Sequence, residues 1–166
     1  MSICEALAAE LRQEAKTSRR VLERVPEESF GWKPHAKSMT LGRLAAHVAE
    51  LPELIVPALT LDEFDFASGA FRPFEPKSAA ELLEKFDRNI ETAAGLLEKQ
   101  PDDRMGDNWR LRSGEHVLFQ MPRAAVVRFV GLNHVVHHRG QLSVYLRLLD
   151  VPLPSIYGPS ADEAGA

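Results

Sequence analysis

Four stretches of this chain repeat their apolar residues at helical spacing, and prolines mark where those stretches start, bend or stop. An amphipathic helix must bury its apolar stripe against another element, so four such stretches strongly limit the folds available. The first runs from about Ser2 to Leu22 or Arg24, with Ile3, Leu7, Leu11, Ala15 and Leu22 on its stripe, and Pro26 stops it. The second starts near Thr40, a suitable N-cap, and places Leu41, Leu44, His47, Val48, Leu51 and Leu54 on one broad face. Pro52 and Pro57 bend it or end its regular part.

The third begins at Ser78, where Ser78 and Glu81 have the spacing of a capping box, and Leu82, Leu83, Phe86, Ile90, Ala93 and Leu97 follow. Pro101 lies just past its end. The fourth has Pro122 at its first position and runs to about Leu149, before Pro152 and Pro154. Its inward stripe is Val127, Val130, Gly131, His134, His138, Leu142 and Tyr145.

The segments between are read as connectors. Residues 25–39 carry Phe30 and Trp32, which cover one end of the helices, and Asp62–Pro76 reads as a loop. Pro101–Met121 is mixed in pattern and reads as a long ordered connector with brief extended pieces. No persuasive set of strands emerges. The expected fold is all-α, a four-helix bundle, in one domain over residues 1–166 with an irregular tail from about residue 151.

Composition narrows the function classes. The net charge of −4 supplies no concentrated basic surface, so no nucleic-acid partner is expected. Cys4 is the single cysteine, which excludes an internal disulfide and a cysteine-based zinc module. Its apolar neighbourhood suggests packing rather than nucleophilic work. No signal peptide and no long apolar run is evident, so a cytoplasmic protein without a membrane partner is expected.

The chemistry concentrates in Asn133–Leu142, where three of the six histidines fall within five residues. His134 and His138 are four apart, so a helix stacks both imidazoles on one face, within reach of a single cation. Both stand where the stripe calls for apolar residues, and buried imidazoles need partners for their nitrogens. His47 holds the same kind of position on the second helix, between Leu44 and Leu51, and is the leading third ligand. Three protein ligands leave coordination positions open, the arrangement of catalytic sites. The bland alternative is three satisfied core histidines.

His137 sits about 60° around the helix from His134, on the side away from His138, and suits a supporting or surface role. His35 and His116 fall in connectors and are expected in solvent. Asn133 and Gln141 could hydrogen-bond ligand imidazoles or merely flank the helix. Glu50, one turn after His47, reads as a solvated helix residue.

The run His134–Leu142, followed by Tyr145-Leu146-Arg147 and Val151–Pro154, resembles the DinB/YfiT-like family of metal-dependent proteins. So does Trp32-Lys33-Pro34 with Ser38–His47, and so does the end from Tyr157 to Glu163. The resemblance spans most of the chain and is weakest in its middle. It implies a four-helix bundle, often a homodimer, with a divalent ion, commonly nickel or zinc, held by three histidines. By position these are His47, His134 and His138.

For activity, the resemblance points to a metal-dependent enzyme acting on a small-molecule substrate, most of all a thiol-dependent transferase using a low-molecular-weight thiol. Arg139, Gln141 and Trp109 are candidates to line its pocket. Two alternatives stand beside it: a non-catalytic metal-binding stress-response module, and a metal-assisted hydrolase.

Overall fold

A computed structural model describes residues 2–163; Met1 and residues 164–166, the last of the expected irregular tail, lie outside the described residues. Helix α1 spans Ile3–Leu22 and opens on a capping box. The Ser2 hydroxyl accepts from the Glu5 amide at 3.1 Å while the Glu5 carboxylate accepts from the Ser2 amide at 2.7 Å. Asp102 adds a second cap from far along the chain, accepting from the amides of Ile3 and Cys4 at 2.7 and 3.0 Å. Four-residue spacing then buries Leu7, Leu11 and Ala15, while Ile3, at the capped start, stays half in water.

Helix α2 spans Leu41–Glu50 with the Thr40 hydroxyl as its cap. At Pro52 the helix tightens to a 3₁₀ turn over Leu51–Leu54 and resumes as α3, Ile55–Thr60. Helix α4 spans Ala79–Leu97. Ser78 accepts from the Glu81 amide as expected, but Glu81 reaches back to the Lys77 amide rather than to that of Ser78. The last helical column starts as α5, Arg123–Val126, loosens into a π segment over Val127–Leu132 and continues as α6, Asn133–Leu148. α1 packs against α4 and α6, and α2 packs against the same two, so the four columns close around one core.

The all-α expectation is overturned. Glu63–Asp65, Asn108–Ser113 and His116–Pro122 form strands β1, β2 and β3 of a mixed sheet ordered β1-β2-β3. β1 runs parallel to β2, with Phe64 opposite Leu111, and β2 runs antiparallel to β3. The segment read as a connector is therefore a hairpin. Gly114 makes its tight turn with φ of 58°, a conformation that side-chain-bearing residues rarely take. Pro122 both ends β3 and is the N-cap of the helix that begins at Arg123, one position before the first helical place expected for it.

The sheet has a small core of its own, in which Trp109, Leu111, Val126 and Ala58 are buried. The Trp109 indole donates to the Pro57 carbonyl at 3.2 Å, fastening the sheet to α3. Arg123, also buried, donates to the carbonyls of Ala58 and Leu61 at 2.7 and 2.5 Å and to Asp62 at 2.7 Å. It thus satisfies acceptors that the end of α3 leaves without helical partners. The sheet packs against α3 and α5, just ahead of the π segment. Among the described residues, no helix is long and apolar enough to cross a membrane.

Candidate metal centre

His47 lies one turn before the end of α2, and His134 and His138 lie in the first turns of α6. Because α2 and α6 are neighbours in the bundle, the three rings meet. Ring centroids are 4.6 Å apart for His47 and His138, 4.7 Å for His134 and His138, and 5.2 Å for His47 and His134. One ring nitrogen from each lies within 4.8 Å of the others, and among the described residues this is the one such cluster of potential ligands.

Two hydrogen bonds decide which nitrogen each ring offers. The Glu50 carboxylate faces Nδ1 of His47 at 3.0 Å, and the Gln141 side-chain oxygen faces Nδ1 of His138 at 2.7 Å. Both oxygens only accept, so each Nδ1 carries a proton, and in the neutral ring the lone pair is then on Nε2. A carboxylate or carbonyl behind a ligating imidazole is the usual way to fix its tautomer and orientation. Gln141 thus acts on a ligand ring directly.

Glu50 corrects the sequence reading. It is not solvated but about 1% exposed. Burial works to raise its carboxyl, yet His47, Arg43 and the Phe74 amide together outweigh that and hold it below the ordinary carboxylate range. Arg43 forms an ion pair with it, and the Phe74 amide donates to its second oxygen at 2.9 Å. Glu50 shares a helix face with His47 and Arg43, three and seven residues away, and that spacing was the available signal. The last turn of α2 is anchored further by buried Asn89, whose amide donates to the Ala49 carbonyl at 2.9 Å.

Both rings on α6 are shifted toward the neutral form. Burial, then the neighbouring His138, His47 and His137, push the His134 imidazole down to about 4. Burial is also the leading cause that lowers His138, against the opposing bond from Gln141. Three imidazoles gathered this closely, two of them held at Nδ1 by an acceptor, suit a divalent cation, so the residues fit the group.

The remaining expectations divide. His137 is exposed and outside the cluster, and His35 and His116 lie in solvent. His137 and Asn133 instead edge an apolar cavity of about 450 Å³ that His134 also lines. Arg139 does not face the histidines. Its buried guanidinium turns toward α1, pairing with Glu14 at 2.7 Å and bonding Ser18 at 3.2 Å and Tyr157 at 2.7 Å. Trp109 belongs to the sheet core and is not among the cavity's lining residues. Cys4 is buried at the far end of α1, and burial followed by Asp102 pushes its thiol up to about 11, which leaves it protonated and unreactive.

A helical bundle with three histidines gathered at the meeting of two columns, and a small sheet packed against α3 and α5, defines the class of this protein. The model of the DinB family matches residues 1–165, and the chain belongs to that family. The protein YrdA of Bacillus subtilis strain 168 is 27% identical over 150 residues, covering 90% of this chain and 85% of YrdA. The crystal structure of the DinB-like protein YjoA of Bacillus subtilis superposes with a TM-score of 0.72 at 16% identity, covering 93% of this chain and 99% of that one. A DinB-like protein of Bacillus cereus ATCC 10987 gives a TM-score of 0.66 at 23% identity, covering 87% of this chain and 91% of the other.

Proposed function

We propose that His47, His134 and His138 hold one divalent cation, nickel or zinc, and that the protein is a metal-dependent enzyme acting on a small molecule with a low-molecular-weight thiol. The observation that carries this reading is the closeness of one ring nitrogen from each of three histidines, together with Glu50 and Gln141 accepting at Nδ1 of His47 and of His138, which leaves Nε2 of both rings available. When bound, such a cation would lower the pKa of a thiol and favour its nucleophilic form. The chain's own residues do the rest. Glu50 and Gln141 orient the rings, Arg43 balances the charge of Glu50, and the apolar cavity beside His134 limits water on that side.

Catalysis is favoured over a purely structural ion because His137 stands outside the cluster, which leaves three protein ligands. A hydrolase using Glu50 as base is disfavoured, since both oxygens of Glu50 are engaged by His47, Arg43 and Phe74. The expected homodimer belongs to the same reading, and light scattering at micromolar concentration tests it; a clean monomer mass counts against it.

Elemental mass spectrometry on protein purified without a histidine tag is the direct test. About one nickel or zinc ion per chain is expected. The ion should be lost in each of His47→Ala, His134→Ala and His138→Ala. Undiminished metal in any one of these variants removes that residue from the site.

A further inference from the structure

The cavity beside His134 is built differently from the other large hollow of the molecule. Its walls are Leu111 and Phe119 of the sheet, Leu54 and Phe66, and Phe129 and Val130 of the π segment. Asn133, His134 and His137 supply its polar groups, and no Asp, Glu, Lys or Arg lines it. A neighbouring hollow of about 490 Å³ is instead edged by Glu53, Lys85 and Arg88. Absence of charge matters, because an ionic group brought against these walls would lose water and gain no partner. About 450 Å³ falls within the usual range for small-molecule sites.

Two further observations favour an aromatic occupant. Phe119 and Phe129 meet edge to face with centroids 5.8 Å apart, so their rings already present the geometry in which aromatic groups pack. Phe129 is 57% exposed although it lines an apolar hollow, so an occupant would remove that ring from water. His134 belongs to both the cavity and the histidine cluster, which makes the cavity the direct approach to the cluster from this side.

We propose that this cavity seats the uncharged aromatic body of the substrate, with Asn133 and His137 beside its polar end and the reacting group at His134. The placement of the reacting group rests on the cation reading above; the seat for the aromatic body does not.

Two arms of one experiment separate these. In metal-free protein, 2-naphthol should shift the methyl NMR signals of Leu54, Leu111 and Val130, and Phe129→Asp should weaken its binding at least about tenfold, with the milder Phe129→Ser intermediate. In zinc-loaded protein, 2-naphthohydroxamate should bind at least about tenfold more tightly than acetohydroxamate by calorimetry, and Phe129→Asp should erase that preference without changing zinc content. Shifts elsewhere, no shifts, equal affinities for the two hydroxamates, or wild-type naphthol binding by both Phe129 variants would overturn the proposal. Failure to take up zinc, with the naphthol shifts intact, would remove the cation reading and leave the aromatic seat standing.

Discussion

The Glu50 carboxylate lies 3.0 Å from Nδ1 of His47, and Glu50 is the most deeply buried acid in the protein. A charged group is kept there because it has three partners, and one of them is a candidate ligand. Replacing it with glutamine keeps the shape and removes the charge. Glu50→Gln should weaken zinc or nickel affinity by roughly 10–100-fold, the usual cost of losing such a supporting carboxylate. Competition against a chromogenic chelator measures it, and an affinity within twofold of wild type would show that Glu50 serves packing alone.

The metal-free protein should lose stability on acidification in a defined window. His134 titrates near 4 when folded and near its ordinary 6.5 when unfolded. Between those values the unfolded chain binds a proton that the folded chain refuses, so stability rises with pH there. The contribution is fully present above pH 6.5 and is lost as pH falls toward 4, and the lowered His138 acts in the same direction. Urea denaturation at pH 7, 6 and 5 should show this decline, and His134→Asn should flatten it. Parallel curves for the two proteins would refute the assignment.

Arg139 should matter for folding and not for the ion. Its guanidinium is about 1% exposed and pairs with Glu14, itself mostly buried. Arg139→Met takes the cation away from that carboxylate and leaves it only the Tyr157 hydroxyl, which donates to it at 2.8 Å, at a cost of roughly 3 kcal/mol. Denaturation should show the loss while metal content per folded chain stays at the wild-type level. A variant that is stable but metal-depleted would return Arg139 to the functional site.

Gly131 is needed for close packing. A Cβ built on it would lie 2.6 Å from both Cδ1 and Cγ1 of Ile55. Gly131→Ala should therefore destabilise the protein by about 1–3 kcal/mol, as overpacked cores do. Adding Ile55→Ala, which removes both clashing atoms, should cost less in the Gly131→Ala background than in wild type. A double-mutant cycle by urea denaturation reads this coupling, and simple additivity would mean that the helices part without strain.

Much of the helical frame was legible because its signals are local: apolar spacing, the Thr40 and Ser78 caps, and prolines at the breaks. The histidines were legible for a related reason, since a polar residue on an apolar stripe needs an explanation. The sheet was hidden by its own irregularity. Val117 and Leu118 are adjacent apolar residues and both are 46% exposed, while a register shift between Leu111 and Arg112 breaks the alternation that marks a strand. β1 is three residues long and pairs with residues far along the chain, so no local pattern announces it. Glu50 was misread because its burial comes from tertiary neighbours, chiefly the segment at Phe74.

The π segment over Val127–Leu132 sits directly upstream of two of the three histidines. Its wider turn takes up more residues than an α turn. In a regular helix each residue advances the chain by about 100°, so an unmatched residue rotates everything after it by that angle. The segment therefore sets the phase of α6: the sheet-packed start of the column and the histidine face are two registers joined by a local slip. Winding Val127–Leu132 as a regular α-helix with no residue removed would turn His134 and His138 by about 100°, away from His47, whereas removing one residue along with the π turn would keep them in place. In this protein the integrity of the cluster depends on counting as well as on chemistry: the number of residues in this column and the width of its turn have to match.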